Sequence, residues 1–85
     1  MRDIVFHEAA FKEFIEWSET DKNKQIKIGK LILESSKNPF KRIGKPEPLK
    51  HDIKGYWSRR IDSVNRLVYQ ITDNQIIIIS CKYHY

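Results

Sequence analysis

The spacing of apolar positions changes along the chain, and each change marks an element. Met1–Phe6 is short and ends Ile4-Val5-Phe6, β-forming residues that predict a first strand. From Glu8 to about Glu19, Ala10, Phe11, Phe14, Ile15, Trp17 and Ser18 recur at i, i+3, i+4, i+7 spacing. That period predicts a helix, with Lys12, Glu13 and Glu16 left to face water. Thr20 is placed to cap a second helix, with Asp21 in its first turn. This helix runs to about Ser36 and carries Ile28, Leu31, Ile32 and Ser35 on one face; Ile26 and Leu33 broaden the stripe. Gly29 weakens it by about 1 kcal/mol relative to alanine, or admits another backbone. An aromatic stripe at helical spacing is core far more often than a cofactor site.

Lys37–Gly55 follows neither a helical nor a strand period. It contains Pro39, Pro46, Pro48 and Gly44. A loop this long in a small chain is usually functional. Pro46 and Pro48 fix φ on both sides of Glu47 and bias Lys45 and Glu47 toward extended backbone. Tyr56–Ile61, Arg66–Thr72 and Gln75–Tyr85 then read as an antiparallel meander, turning at Asp62–Asn65 and around Thr72-Asp73-Asn74. The last strand holds Ile76-Ile77-Ile78-Ile79, a run expected to be buried on both faces. It ends Lys82-Tyr83-His84-Tyr85, which puts an imidazole and two phenols at the rim of a sheet. The expected architecture is a single α+β domain over residues 1–85: an N-terminal strand, two helices, then an antiparallel β-meander.

Strand alternation sorts the side chains by face. A three-residue turn, Thr72-Asp73-Asn74, sets Arg66 opposite Ser80, Leu67 opposite Ile79 and Tyr69 opposite Ile77. Leu67, Tyr69, Ile71, Ile77, Ile79, Cys81 and Tyr83 then form the core face. Arg66, Val68, Gln70, Ile76, Ile78, Ser80, Lys82 and His84 form the other, so Arg66 and His84 meet at its polar end. A two-residue Asp73-Asn74 turn shifts this by one and puts Arg66 with Cys81 and Tyr83. The three-residue turn is preferred because it separates apolar from polar more cleanly. In the first hairpin, Trp57 and Ile61 point to the core and Tyr56, Ser58 and Arg60 to the polar face, with Arg59 ambiguous.

The net charge of +5 is not spread evenly. Residues 37–60 hold a net +6, while residues 1–36 sum to −1 and residues 61–85 to zero. A basic patch so concentrated favours a polyanion such as nucleic acid. The single Cys81 excludes an internal disulfide, and its strand context suits a packed thiol better than a nucleophile. His7, His51 and His84 lack zinc-ligand spacing, so no metal is expected. No apolar run reaches the length of a membrane span, and no leader precedes the first strand, so a cytoplasmic protein is expected.

Glu47, Arg66 and His84, with lysines nearby, suit cleavage of RNA through its own 2′-hydroxyl. A carboxylate takes the 2′ proton, cations stabilise the charge growing on the phosphate, and an imidazolium protonates the leaving 5′ oxygen. Arg66, Arg60 and Lys50 are candidates for the middle role. Tyr85, Tyr56 or Trp57 could stack a splayed base. Arg59 joins the candidate RNA contacts, although its facing is ambiguous.

Gly44-Lys-Pro-Glu-Pro-Leu-Lys-His51, Trp57-Ser-Arg-Arg-Ile61, Arg66-Leu-Val-Tyr69 and Cys81-Lys-Tyr-His-Tyr85 resemble YoeB toxins of the RelE/ParE superfamily. Trp17 and Glu19-Thr-Asp-Lys22 extend the likeness over nearly the whole chain. The resemblance implies a RelE/ParE-like, microbial ribonuclease-like fold and ribosome-dependent cleavage of mRNA in the A site. It implies Glu47 as general base, Arg66 as phosphate stabiliser and His84 as general acid, supported by Lys50, Arg60 and Tyr85. It further implies no metal or other cofactor, inhibition by a YefM-type antitoxin, and a homodimer with no membrane partner. Two departures lie outside the expected site: His7 in place of a better helix cap, and Lys41-Arg42-Ile43 before Gly44. A different reading is a non-nucleolytic, ParE-like module that binds DNA gyrase; the presence of Glu47, Arg66 and His84 favours the nuclease.

Overall fold

The computed structural model describes residues 1–49 and 55–84. Strand β1 (Asp3–Phe6) precedes helices α1 (Glu8–Thr20) and α2 (Lys22–Lys37), and four strands follow: β2 (Glu47–Pro48), β3 (Tyr56–Arg60), β4 (Asn65–Ile71) and β5 (Gln75–His84). They form one sheet in the order β1-β5-β4-β3-β2. The expected α+β architecture is present, with β1 parallel to β5 and the other pairings antiparallel. A short strand inside the long loop is an addition. The prolines that stiffen Glu47 also suit β2, a two-residue edge strand that ends in Pro48. No helix of the described residues is long and apolar enough to cross a membrane.

Both helices pack on one face of the sheet. Ala10, Trp17, Ile28, Leu31 and Ile32 meet Ile61, Leu67, Tyr69, Ile76, Ile78 and Cys81 in one core, with Phe6, Phe14, Trp57 and Ile71 packed against it. The helical periods were broader in the sequence than in the fold. Phe11, Ile15, Ile26 and Leu33 all remain 44–51% exposed. Gly29 has open space where a Cβ would stand, so among the described residues none outside its own helix approaches it closely. His7 offers α1 no side-chain cap. For α2 the cap is Asp21 rather than Thr20: its carboxylate accepts the Lys24 N–H at 3.2 Å, while Thr20 stays in α1 and donates to the Glu16 carbonyl at 3.3 Å.

The last hairpin adopts the alternative register. Ile71 pairs with Ile76, and Thr72 N–H donates to the Gln75 carbonyl at 3.0 Å, leaving a two-residue Asp73-Asn74 turn. Gln75 N–H closes it by donating to Thr72 Oγ1 at 3.0 Å. Ile76 and Ile78, not Ile77 and Ile79, therefore face the helices and are wholly buried. Ile77 and Ile79 are only partly buried, so the isoleucine run is not covered on both faces.

Two irregularities then interrupt the β4–β5 ladder. Tyr69 pairs with Ile78 but Val68 with Ser80, and Arg66 pairs with Tyr83. Each adds one residue to β5, as a β-bulge does. The core helix explains how they are tolerated. Glu13 of α1, expected to face water, accepts from Cys81 N–H at 2.9 Å and from the Ser80 hydroxyl at 3.1 Å. It satisfies a strand amide that an irregular ladder leaves over. Trp17 Nε1–H donates to the Cys81 carbonyl at 2.9 Å. Cys81 is packed as expected: burial, with the Glu13 charge nearby, pushes its thiol up to about 12.

Candidate functional site

The face of the sheet away from the helices carries a compact polar group. Pairing puts Tyr56 with Gln70, Ser58 with Val68, and Arg60 with Arg66 on this face, and β2 sets Glu47 opposite Ser58. Arg66 Nη1 donates to Glu47 Oε1 at 2.7 Å and reaches Ser58 Oγ at 3.5 Å. The Arg66 side chain is 9% exposed and that of Glu47 45%. A largely buried guanidinium thus meets a carboxylate that still opens to solvent. The two-residue strand β2 is what carries the acid to this place.

The approach to β2 is pinned from the other face. Arg59 pairs with Leu67 and so points to the helices, where it is wholly buried. Its Nε donates to Tyr69 Oη at 3.2 Å, its Nη1 to the Ile43 carbonyl at 2.8 Å, and its Nη2 to the Asn38 carbonyl. Tyr69 Oη in turn donates to the Pro39 carbonyl at 2.7 Å. Burial raises the Tyr69 phenol above its usual range, against the pull of Arg59. Gly44 has φ +80°, and a Cβ there would stand 3.0 Å from Leu31 Cδ2 and 3.1 Å from Arg59 Cβ. Its carbonyl accepts the Arg60 N–H at 2.7 Å. The segment that leads to Glu47 is therefore tied to β3 at three points and to β4 at a fourth, each through one of its own neutral carbonyls.

Of the expected site residues, Glu47, Arg66 and Arg60 come together. Arg59 does not: it is a buried anchor, not a surface contact. Trp57 pairs with Tyr69 on the helix face and meets Phe40 edge-on at 4.9 Å between centroids, so it cannot stack a base beside Arg66. The expected pairing of Arg66 with Ser80 is also corrected. Arg66 lies opposite Tyr83, and His84 opposite Asn65. Two one-residue irregularities restore the original alternation, so His84 sits at the same end of the sheet but one step out of phase with Arg66. Lys50, His51 and Tyr85 lie outside the described residues. Tyr83, facing Arg66, was not singled out in the sequence because the preferred turn put it in the core.

Among the described residues, grooves open at both ends of the sheet. One, of about 590 Å³, runs beside Arg66 between α2 and the β3–β4 turn. The other, of about 580 Å³, lies among Arg2, Ser36, Lys37 and Asn74 and holds none of the expected residues. Among the described residues no three His, Cys, Asp or Glu side chains gather as metal ligands do.

A model of the YoeB-like toxins of bacterial type II toxin–antitoxin systems matches residues 6–85. The chain belongs to the YoeB-like toxin family. It is 46% identical to the toxin YoeB of Streptomyces coelicolor over 82 residues, 96% of this chain and 98% of the relative. A YoeB dimer structure from Staphylococcus aureus superposes with a TM-score of 0.91 at 44% identity, covering 99% of this chain and 98% of that one. A heterotetrameric YoeB–YefM toxin–antitoxin complex from the same organism superposes at 0.86 with 43% identity, covering 100% and 99%. Both superpositions thus take in nearly the whole chain.

Proposed function

We propose that this chain is a ribosome-dependent endoribonuclease toxin that cuts mRNA in the A site and so stops translation. The observation that carries the reading is the Glu47–Arg66 pair at 2.7 Å on a face that also presents Arg60. An acid and a guanidinium in contact are what attack by a 2′-hydroxyl needs. Glu47 takes the 2′ proton. The 2′ oxygen forms a bond to the adjacent phosphorus, and the bond to the 5′ oxygen breaks. Arg66, with Arg60 and Lys50, holds the charge that gathers on the non-bridging oxygens. His84 gives its proton to the leaving oxygen. The products are a 2′,3′-cyclic phosphate and a 5′-hydroxyl. No metal takes part in any of these steps.

His84 is the demanding assignment, because the ladder places it out of phase with Arg66. It acts as the acid when the peptide between Tyr83 and His84 turns toward the Arg66 face around bound RNA. Tyr85 supports the substrate from the next position. With Glu47 ionised and His84 protonated, the single-turnover rate is bell-shaped in pH.

The S. aureus dimer and the S. aureus YoeB–YefM complex support two partners for this chain: a second copy of itself and a YefM-type antitoxin. The net +6 over residues 37–60 suits an acidic antitoxin segment. We place the protein in the cytoplasm, where its ribosomal substrate is.

Purified protein added to a translating extract tests the proposal. mRNA cut within the ribosome-protected region is expected. Intact mRNA together with inhibited gyrase would replace this reading with a ParE-like one.

A further inference from the structure

The groove beside Arg66 has a composition that general surface charge does not explain. Lys27 comes from α2, Arg60 and Ile61 from the end of β3, Asp62 and Ser63 from the turn, and Arg66 from β4. Arg60 and Arg66 are directly opposed in the ladder. Like charges in that relation destabilise a sheet unless something negative lies between or beside them. Glu47 meets Arg66, whereas Arg60 enters no ion pair with a described residue. Lys27 is an exposed residue, but its ammonium is tethered at the groove: its Nζ donates to the Ile61 carbonyl. An ammonium has three donors, so two remain to face the groove.

The one carboxylate on the wall is already committed. Asp62 Oδ1 accepts the Val64 and Asn65 amides at 2.8 and 2.6 Å, and Oδ2 pairs with Lys24 at 3.2 Å. Burial works against its charge, but those amides and Lys24 outweigh it and hold the carboxyl well below the usual range. The groove therefore offers Lys27, Arg60 and the Ser63 hydroxyl, beside an Arg66 already paired with Glu47, against an acid that Lys24 offsets. Its volume, about 590 Å³, admits a sugar-phosphate unit.

We propose that this groove binds the phosphodiester of a nucleotide next to the one cleaved, and that Lys27 is a substrate-binding residue there. The inference rests on the reading of Glu47 and Arg66 as the cleavage centre. Arg66 belongs to both places, so a strand lying across Glu47 continues past Arg66 between Arg60 and Lys27. Contacts of this type read the backbone and not the base.

The test uses a fluorescent 2′-O-methyl RNA hexamer, which the enzyme cannot cleave, with affinity followed by anisotropy from 50 to 200 mM salt. For single strands each phosphate contact contributes about 0.7 to the slope of log K against log salt. Lys27→Met is expected to lower the slope by about that amount and to weaken binding roughly fivefold at low salt, whereas Lys27→Arg keeps both. Ser63→Asp, which breaks none of the hydrogen bonds described, is expected to weaken binding in the same direction. Lys30→Met, on the same helix outside the groove, is expected to leave the slope unchanged. Unaltered slope and affinity in both Lys27→Met and Ser63→Asp, or no binding by the parent protein, would overturn the proposal. RNA binding unchanged while an acidic antitoxin segment binds more weakly would assign the groove to a protein partner instead. Because the oligomer is not cut, loss of cleavage in a translating extract and loss of groove binding are read separately.

Discussion

Arg66 and Glu47 are 19 residues apart in sequence and 2.7 Å apart in the fold. The contact depends on two independent features: the proline-flanked strand β2, and the second position of β4. Because the pair acts as a unit, its loss should be non-additive. Glu47→Gln and Arg66→Met are each expected to lower the single-turnover rate by about 100-fold or more. The double variant should lose little beyond the worse single one. Fully multiplicative losses in a double-mutant cycle would show that the two side chains act separately.

Arg59 has a different consequence. Its guanidinium is buried among neutral acceptors and fixes the carbonyls of Asn38 and Ile43. Arg59→Met leaves those carbonyls and Tyr69 Oη without their donor, at an expected cost of about 3 kcal/mol or more. Lysine supplies one point charge in place of the fork and should recover only part of it. Urea unfolding of both variants, with the parent as reference, reads this directly. Equal stability of all three would remove the anchoring role.

Asp62 predicts a pH signature. Its folded-state pKa lies well below the ordinary carboxylate range, so its contribution is present above that range and is lost as pH falls toward the folded value. Asp62→Ala, which loses capping bonds to Val64 and Asn65, is expected to cost about 1–2 kcal/mol at pH 7. The difference between the two proteins should shrink progressively below about pH 4. A difference constant from pH 7 to pH 2 would point to packing rather than charge.

Cys81 should be inert. With its thiol pushed up to about 12 by burial, it reacts with aromatic disulfides at pH 8 only when the protein opens. Labelling is expected to follow unfolding, slow in buffer and complete in denaturant. Rapid modification of the folded protein would contradict the packing around Ala10 and Trp17.

Much of this was written in local spacing. The order of elements, the buried faces of α2 and β3, and the polar group of Ser58, Arg60 and Glu47 follow from period and proline placement. Arg59 could have been assigned to the core by the same alternation, since Trp57 and Ile61 on either side of it were. What local spacing did not carry was the β4–β5 register. Cleaner separation of polar from apolar favoured a three-residue turn. The chain instead forms a tight turn and repairs the mismatch with two irregularities, one residue each. Their support comes from Glu13 on a distant helix, and no neighbour in sequence signals it. The tight turn itself puts Tyr83 on the Arg66 face and His84 out of phase, because the two irregularities cancel in parity.

The most direct test replaces one atom of the substrate. An mRNA carrying a single 2′-deoxynucleotide at the mapped cut site is placed on the ribosome with the purified protein. The account predicts a 2′,3′-cyclic phosphate and a 5′-hydroxyl from the all-ribose message, and no cut at the deoxy position. Cleavage of the deoxy message at an undiminished rate would contradict attack by the 2′ oxygen, and with it the role given to Glu47.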